Sequence, residues 1–515
     1  MDETPHALSS ARTVWELVER RADLTPDRPV LLQEDRTLTF GALRTRAERV
    51  AAGLYGMGVR PGTVVAWQLP TRVETALLSF ALARLGAVQS PLIPYYRDRE
   101  VGFALRESKA EFFAVPGVWR GYDHTVMARR LGAKGVFEAY DTLPDADPSM
   151  LPAPPAEGTS VRWIYWTSGT TSDPKGVLHT DRSLIAGGSC LAHALRPTPD
   201  DIGSMAFPYA HIGGLDYMVM LLAYGFPAVM FEHFALPDAL AEYRRHGVTV
   251  AGGSTAFYSM FLGEQRRQPG RKVIPTLRLL AGGGAPKPPE LYHCVVREMG
   301  VQLTHGYGMT EVPMITMGSP DDTAENLATT EGRPPAEMEI RIVDGEVRLR
   351  GEAVCQGYLD PVQTAEAFDE EGFLRTGDLG HLTDSGHLVL TGRRKDVIIR
   401  KGENISAKEI EDLLHRHPAV GDVAVIGLPD AERGERVCAV VEPAAQPPGA
   451  AKLTLAAVTS YLRAEGLSVH KLPEQLEVVD ALPRNDTLRK VLKYKLRERY
   501  SGTAEQEPRG ATPGP

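Results

Sequence analysis

The chain has 515 residues, of which 43% are hydrophobic and 24% charged, a composition typical of a globular protein with two or more folding units. Its 57 basic and 66 acidic residues leave a net charge of −9, which argues against nucleic acid as a partner because a broad basic face would be expected. Four scattered cysteines without metal spacing and a start that lacks a secretion signal predict a cytoplasmic enzyme with reduced thiols.

A hydroxyl- and glycine-rich loop follows an irregular, proline-rich segment at 143–158. It reads Thr167, Ser168, Gly169, Thr170, Thr171, Ser172, Asp173, Pro174, Lys175 and Gly176. Small residues let backbone N–H groups approach a polyphosphate, hydroxyls rotate to donate, and lysine adds positive charge. The loop is therefore predicted to bind a nucleoside triphosphate, with a flexible surface turn as the alternative.

The flanks of this loop narrow the prediction. Residues 163–166 and 177–179 are both strand-like, so the loop joins two strands and does not lead into a helix. A Walker A loop is disfavoured, because its glycine spacing and its Gly-Lys-Ser/Thr ending are missing.

The longest apolar run spans roughly 218–231 and is broken by Gly225 and Pro227. It is shorter than the ~20 residues that span a bilayer. A core helix followed by a strand is predicted, and no membrane span.

Three apolar strands at 248–250, 277–280 and 301–304 each run into a glycine-rich loop, and helical patterns separate them. This alternation is typical of α/β layering, in which ligands lie at the carboxyl ends of strands. The three glycine-rich loops are expected to share one cleft.

The character of the sequence changes after residue 340. Alternating residues around Asp344 and Gly345 predict a hairpin. Near Gly392 a smaller α+β unit begins, with a capping box at 406–409 that opens a helix and with strands near 423–426 and 437–441. The predicted fold is α/β: a large layered N-terminal domain with glycine-rich loops at strand ends (1–391), a small mobile α+β C-terminal domain (392–499), and a disordered tail (500–515).

Five further motifs follow the phosphate loop in order: Gly306-Tyr307-Gly308-Met309-Thr310-Glu311, Arg375-Thr376-Gly377-Asp378, Gly392-Arg393-Arg394-Lys395-Asp396, Lys401-Gly402-Glu403-Asn404 and Pro483-Arg484-Asn485. In this order and spacing they resemble the acyl-adenylate-forming superfamily of acyl-CoA synthetases, peptide-synthetase adenylation domains and luciferases. The resemblance extends from about Thr13 to Arg499. Each motif alone occurs by chance, whereas their collinear order is specific.

The resemblance implies an ATP site with Mg²⁺. Thr310 is implied to touch the α-phosphate, Glu311 to ligate Mg²⁺, and Asp378, with Arg393 nearby, to accept hydrogen bonds from the ribose. The remaining implied nucleotide contacts are Thr167, Ser168, Gly169, Thr170, Thr171 and Lys175 around the phosphates, Gly283, Gly284, Ala285 and Tyr307 around the adenine, and Gly306, Gly308 and Met309 elsewhere on the nucleotide.

The acyl pocket is implied by a second group of residues. His211 stands in the segment that lines this pocket in the family, although a lone histidine is more often a hydrogen-bonded core residue. The other expected lining residues are Tyr209, Gly213, Ser254, Thr255, Phe257 and Ala281. No acidic residue is evident that would meet a substrate ammonium, which disfavours amino acids.

The C-terminal segment 482–493 resembles the part of the family that carries a catalytic lysine. The usual glycine before that lysine is absent, so counting from one side reaches Arg489 and from the other Lys490. Lys490 is favoured because a compact ammonium suits a point contact with two oxygens. Lys395 matches the hinge position, and Gly402, Glu403 and Asn404 are expected to face the thiol channel.

The implied activity is that of an acid–thiol ligase that adenylates a carboxylic acid with release of pyrophosphate and then transfers the acyl group to coenzyme A. A carrier-protein thiol or an amine as acceptor, and a catalytically silent nucleotide-binding protein, remain as alternatives. The expected partners are a small acid, ATP and coenzyme A, and a separate carrier protein in the second case.

Overall fold

The computed structural model describes residues 8, 10–167, 174–401, 403–430, 432–444, 453–485 and 489–501. In this part of the chain the strands form five sheets of four to six strands and one two-stranded hairpin. Helices and strands alternate along the N-terminal part, so the predicted α/β class is confirmed.

Two sheets form the first part of the fold. One contains β1 (Pro29–Gln33), β2 (Arg36–Thr39), β11 (Gly203–Met205) and β12 (Ala228–Met230), in the order β11-β12-β1-β2. The other contains β3 (Val64–Trp67), β4 (Val88–Pro91), β5 (Phe112–Val115), β8 (Val136–Glu138), β9 (Val161–Thr167) and β10 (Lys175–Thr180), in the order β10-β9-β4-β3-β5-β8. Between β5 and β8 in the sequence, β6 (Val118–Trp119) and β7 (Tyr122–Asp123) form the two-stranded hairpin.

The helices of this part are α1 (Val14–Leu24), α2 (Phe40–Gly56), α3 (Val73–Leu85), α4 (Asp98–Ser108), α5 (His124–Arg130), α6 (Asp181–Leu195), α7 (Ile212–Tyr224) and α8 (Leu236–His246). Every residue of α3 is buried, as expected for a helix without a polar face. Its Phe80 packs in one hydrophobic core with Trp67 of β3 and Trp163 of β9.

A third sheet carries the glycine-rich segments. It comprises β13 (Val250–Gly253), β14 (Leu279–Gly283), β15 (Gln302–Met309) and β16 (Val312–Met317), with β13, β14 and β15 parallel. The helices α9 (Thr255–Arg267), α10 (Pro289–Met299) and α11 (Ala324–Thr329) connect or follow these strands. The expectation that the glycines form loops after the strands was wrong for most of them, because the strand pairing continues through them.

Close backbone contact explains this difference. A Cβ on Gly283 would lie 2.5 Å from the carbonyl oxygen of Gly306, and one on Gly252 would lie 2.0 Å from that of Ala281. Only glycine permits such an approach between neighbouring strands. The glycines therefore allow the strands to pair closely at these positions.

A fourth sheet contains β17 (Met338–Val343), β18 (Glu346–Gly351), β19 (Leu374–Leu382) and β20 (Leu388–Arg393), with α12 (Pro361–Ala367) before β19. The predicted hairpin is confirmed, since β17 and β18 pair around Asp344 and Gly345. Both turn residues have positive φ, 51° and 76°, as a two-residue hairpin turn requires.

The C-terminal part has its own sheet and hydrophobic core. The sheet contains β21 (Val397–Arg400), β22 (Glu403–Ser406), β23 (Val420–Asp430), β24 (Gly434–Pro443) and β25 (Gln475–Val478), and the helices are α13 (Ala407–Leu414), α14 (Leu455–Ala464) and α15 (Lys493–Tyr500). Ser406 caps α13 by accepting from the Glu409 N–H, as the capping box predicted. Ile410 and Leu414 are buried.

Several smaller predictions are also confirmed. A helix, α7, followed by β12 accounts for the apolar run at 218–231, and 143–158 is irregular except for one turn of 3₁₀ helix at Pro148–Met150. All four cysteines are buried and unpaired. Among the described residues, no helix has the length and apolar character needed to cross a membrane. The tail predicted to be disordered at 500–515 begins too early, because Tyr500 is the buried last residue of α15; residues 502–515 lie outside the described part.

Candidate active site

The flanks of the predicted phosphate loop form an antiparallel pair of strands. Thr167 at the end of β9 is directly opposite Lys175 at the start of β10. The pairing of the two flanking strands is thus confirmed, and it brings Thr167 and Lys175 to one end of the strand pair. The predicted residues Ser168, Gly169, Thr170 and Thr171 lie outside the described residues.

Lys175 is held near a buried carboxylate. The backbone of β10 pairs with the segment at 356–359, and this pairing places the Tyr358 ring 5.1 Å below the Lys175 ammonium. The Tyr358 hydroxyl donates a 2.7 Å hydrogen bond to Glu311 Oε1. Burial raises the pKa of Glu311, while the Tyr358 hydrogen bond and the charge of Lys175 act against this rise.

A buried histidine fixes the neighbouring Thr310. His179 Nε2 lies 2.8 Å from the carbonyl oxygen of Thr310, and its Nδ1 lies 2.9 Å from Ser183 Oγ. Burial lowers the pKa of His179 to about 4, so the ring is neutral at pH 7 and its Nε2–H is the donor to the carbonyl. The turn between β15 and β16 that holds Thr310 and Glu311 is therefore fixed at both residues.

Tyr307, Asp378 and Arg393 form a second polar cluster. The Tyr307 hydroxyl donates a 2.5 Å hydrogen bond to Asp378 Oδ2, and Arg393 Nε lies 2.9 Å from Asp378 Oδ1. The Asp378 backbone N–H in turn donates to Thr376 Oγ1. Pairing of β19 with β20 places Asp378 opposite Arg393, so two adjacent strands orient this carboxylate.

A cleft of about 1850 Å³ is lined by the cluster of Tyr307, Asp378 and Arg393. Ala285, Tyr307 and Asp378 line it from the N-terminal part, and Lys395 and Asn404 from the C-terminal part. Gly284, with φ +82°, turns the chain at the end of β14 and lines the cleft together with Gly306 and Gly308. Two of the three glycine-rich segments predicted to share one cleft line this one, whereas the first, at 251–254, lines the smaller cavity that opens from it.

A smaller cavity of about 150 Å³ opens from the cleft. Gly284, Gly306, Gly308 and Lys490 line both spaces and so mark the mouth of the cavity. Its inner lining includes Gly213, Ala281, Gly283, Met309, Thr310 and His211. Of the other residues expected in the acyl pocket, Tyr209, Ser254, Thr255 and Phe257 do not line this cavity, and Thr255 lines the larger cleft instead.

Lys490, and not Arg489, reaches this mouth. The Lys490 N–H donates to Asn485 Oδ1 and its carbonyl accepts from the Asn485 N–H, both at 2.9 Å, which turns the chain inward at Lys490. Arg489, with φ +58°, is exposed. Burial lowers the pKa of Lys490 to about 8, and the charge of Arg393 acts in the same direction, against Asp378 and Glu311.

His211 has two roles in the geometry. Its Nδ1 accepts from the Gly213 N–H at 3.2 Å and so caps α7, while the ring lines the cavity. Burial lowers the pKa of His211 to about 3, with the charge of Lys490 acting in the same direction. A neutral ring therefore lies beside the Lys490 ammonium.

The predicted hinge and thiol-channel residues lie at the start of the C-terminal part. Lys395 occupies a 3₁₀ turn at Arg394–Asp396, and Asn404 on β22 lines the cleft. Glu403 is exposed at the start of β22 and does not line the cleft, and Gly402 lies outside the described residues.

Three residues near these groups were missed by the sequence reasoning. His179 and Tyr358 orient Thr310 and Glu311, and no local pattern marks either of them. Asp216 lines the small cavity, against the expectation that no acidic residue serves the pocket. Its signal was present in the sequence, since it is the one charged residue in the apolar run at 212–224.

Comparison with known proteins identifies the family. The model of the AMP-binding enzyme family matches residues 18–359, and that of the AMP-binding enzyme C-terminal domain matches residues 409–488. The chain belongs to the AMP-binding enzyme family. It is thus a member of the acyl-adenylate-forming superfamily and an adenylate-forming ligase, as the motifs indicated.

Relatives of this AMP-binding enzyme differ in their acceptors. It is 34% identical to a salicyl-AMP ligase / salicyl-S-ArCP synthetase of Mycobacterium tuberculosis, across 92% of this chain and 88% of that protein. It is 30% identical to a medium-chain fatty-acid–CoA ligase of Escherichia coli, across 93% and 89%.

The fold is that of solved adenylate-forming enzymes. An o-succinylbenzoate CoA synthetase (MenE) of Bacillus subtilis bound to its acyl-adenylate superposes with a TM-score of 0.81 at 29% identity, covering 94% of this chain and 98% of that one. The same enzyme in complex with ATP and magnesium gives a TM-score of 0.78 at 29% identity, covering 92% and 98%.

Proposed function

We propose that this enzyme adenylates a small carboxylic acid with Mg·ATP, releases pyrophosphate and transfers the acyl group to the thiol of coenzyme A. One observation carries the proposal. Lys490 lies at the mouth of a small cavity, where this cavity meets the cleft that Tyr307 and Asp378 line. Thr310 and His211 line the wall of the small cavity. A carboxylate seated in the cavity would face a nucleotide in the cleft at this point.

The nucleotide is proposed to occupy the cleft in one orientation. Asp378, held by Tyr307 and Arg393, has the acceptor oxygens that ribose hydroxyls need. The adenine is proposed to lie against the backbone of Gly283, Gly284, Ala285, Gly306 and Gly308, with Met309 nearby. The triphosphate would then extend toward Thr310, Thr167 and Lys175, with Ser168, Gly169, Thr170 and Thr171 completing the phosphate loop.

Mg²⁺ fits the residues beside Thr310. Glu311 is a buried carboxylate, and such hard oxygen donors are what Mg²⁺ binds when it also contacts phosphates. Its Oε1 is oriented by Tyr358. When bound, the ion would neutralise phosphate charge, while Glu311 and Tyr358 hold its place.

In the first step, an oxygen of the substrate carboxylate bonds to the α-phosphorus and the bond to the β-phosphate bridging oxygen breaks, so pyrophosphate leaves. Negative charge gathers on the α-phosphate oxygens, and positioning with preorganised cations is the main source of rate enhancement in such reactions. Lys490 is proposed to supply that cation at the α-phosphate and to orient the carboxylate.

In the second step, the thiol sulfur bonds to the carbonyl carbon of the acyl-adenylate and AMP leaves. Lys490 at the cavity mouth would obstruct the thiol, so we propose that a C-terminal domain of residues 392–499 rotates on an N-terminal domain of residues 1–391, with Lys395 as hinge. Gly402, Glu403 and Asn404 would then face the thiol channel.

The test is a panel of aliphatic, alicyclic and aromatic acids with Mg·ATP, scored for AMP and pyrophosphate with and without coenzyme A and with hydroxylamine to trap the acyl-adenylate. Acid-dependent pyrophosphate release is expected, and added coenzyme A should give a thioester. Release of ADP, or no acid-dependent release for any acid, would refute the proposal, and the second result would favour a catalytically silent nucleotide-binding protein.

A carrier-protein thiol is the second candidate acceptor. It is favoured by the similarity to the salicyl-S-ArCP synthetase, whose name specifies such a carrier. Phosphopantetheinylated carrier protein and coenzyme A compared at equal concentration would decide between them, with an amine as the third arm. We also propose a cytoplasmic location, supported by the four unpaired thiols.

A further inference from the structure

One oxygen of an acidic side chain that lines the small cavity has no hydrogen-bond partner among the described residues. Asp216 lies on the second turn of α7, its residue is 1% exposed, and its side chain lines the cavity. Oδ1 is fully buried and makes no hydrogen bond with any described residue. Buried polar atoms are almost always satisfied, so an unsatisfied one in a residue that lines a cavity needs an explanation.

We propose that Asp216 selects the substrate: the acid activated by this enzyme is a small ring acid that carries an amino or hydroxyl group remote from its carboxylate, and that group donates a hydrogen bond to Asp216. The inference rests on the proposed function, because it assigns the cavity to the acyl group. It adds a substrate class and a residue that distinguishes between acids.

The geometry gives the direction of binding. Lys490 lines both cavity and cleft, whereas Asp216 lines only the cavity. A substrate whose carboxylate meets Lys490 at the mouth would therefore present its far end to Asp216. The walls between them are apolar and include Leu191, Phe207 and Met314, which suit a ring.

The size of the cavity restricts the class further. Its volume of about 150 Å³ is that of a cavity known in another protein to hold benzene. A single ring fits such a space, whereas a long acyl chain does not.

A hydrogen-bond donor is favoured over an apolar or anionic group at this position. Burial raises the pKa of Asp216 well above its ordinary value, which favours the neutral carboxyl. Its carbonyl oxygen still accepts from an N–H or O–H, while an apolar substituent would leave it unsatisfied. Discrimination of this kind is stronger than discrimination by one methyl group in an apolar pocket.

The test compares ring acids that differ only in this group. Benzoates with an amino, hydroxyl or methyl substituent at ring position 3 or 4 are assayed with the full-length enzyme by acid-dependent exchange of pyrophosphate into ATP. At one of the two ring positions, kcat/KM should be at least about tenfold higher for the amino or hydroxyl acid than for its methyl counterpart. Binding of the same acids is measured calorimetrically with a non-hydrolysable ATP analogue.

Variants assign the preference to the carboxyl. Asp216→Leu should abolish or reverse the ratio between the amino and methyl acids, and Asp216→Asn, which keeps a carbonyl acceptor, should retain part of it. Ser189→Ala is the matched control, because Ser189 Oγ is also buried with no partner in the described part of the chain but does not line the cavity. In the Ser189→Ala variant, the ratio of kcat/KM between the amino and methyl acids should equal that of the wild-type enzyme. Asp216→Ala gives the same comparison if the leucine variant is not folded.

Each outcome decides a separate question. A wild-type enzyme that turns over or binds the methyl acids as well as the amino and hydroxyl acids, or that binds none of them, overturns the role of Asp216. Activity on other acids in that case leaves the proposed function intact. Binding of the amino or hydroxyl acid without turnover of any acid would support Asp216 and count against the ligase.

Discussion

Two adjacent cations, Arg489 and Lys490, differ in where their side chains lie, and this difference predicts unequal roles. Lys490 is at the cavity mouth, whereas Arg489 is exposed. We expect Lys490→Ala to lower the rate of acid-dependent pyrophosphate release about 10²- to 10³-fold, as loss of one preorganised charge does elsewhere. Arg489→Ala should change it less than about fivefold. Equal losses in a pyrophosphate-release assay would contradict the assignment.

The environment of Lys490 also predicts a pH dependence. Its pKa is lowered to about 8, so the ammonium loses its proton as the pH rises through that value. The adenylation rate should therefore fall above about pH 8. Lys490→Arg should be slower at pH 7 but should lack this fall, because arginine stays charged throughout. Rate profiles from pH 6 to 10 test this, and an unchanged fall in the arginine variant would show that another group titrates.

For single residues, the sequence predicted residue types and motifs, but not which side chain faces the site. Arg489 and Lys490 are equivalent to a motif count, and only the turn made with Asn485 separates them. Asp216 stands out in the sequence as the one charged residue of an apolar helical run, but that pattern alone does not show whether it faces a pocket. Its burial depends on contacts with α6, which the local sequence does not specify.

The 3₁₀ turn at Arg394–Asp396 lies between β20 and β21, where the N-terminal sheet ends and the C-terminal sheet begins. If it is the hinge, fixing φ at Lys395 should restrict the rotation required for the second step. We expect Lys395→Pro to impair thioester formation at least about tenfold more than pyrophosphate release.

Both half-reactions are measured on the same preparation, with Lys395→Ala as the control that removes the charge and leaves the backbone free. Because Lys395 also lines the cleft, the control separates a lost contact from a lost motion. Equal loss of both half-reactions in the proline variant alone would argue against a hinge at this position.

Local signals predicted whole elements well wherever the signal was itself structural. The hairpin at Asp344 and the capped helix after Ser406 follow from turn and cap chemistry alone. Local signals did not predict that the strands continue through the glycine-rich segments, because glycine usually interrupts strands. Here the strands need glycine because their backbones lie against the neighbouring strand. Pairing between distant segments is a tertiary property.

At the scale of the whole molecule, two sets of buried groups act on stability in opposite directions. Burial lowers the pKa of a set of histidines, whose neutral folded forms lose stability as the pH falls below about 6.5. Burial raises the pKa of a set of carboxyls, which lose stability as the pH rises. The histidines are His124, His179, His211, His305 and His415, and the carboxyls are Glu19, Asp181, Asp216, Glu311 and Glu331.

Because these sets oppose each other between about pH 4 and 6.5, the stability of the wild-type protein is a poor reporter of any one group. A substitution at one residue isolates the contribution of that group to the pH dependence of stability. Folded Asp216 retains a proton that the unfolded chain releases above about pH 4, so folding loses up to about 1.4 kcal/mol of stability per pH unit above that value. Asparagine at this position does not ionise and removes the dependence.

Asp216→Asn should therefore be more stable than the wild-type protein at pH 8, and its advantage should shrink steadily toward pH 5. The difference in melting temperature between the two proteins, followed by circular dichroism at several pH values, measures this slope directly. Asp384→Asn, which removes an exposed carboxyl, is the control for the substitution itself. A difference that stays constant with pH would mean that Asp216 is ionised in the folded protein, and a substrate ammonium would then be the better partner for it than a neutral donor.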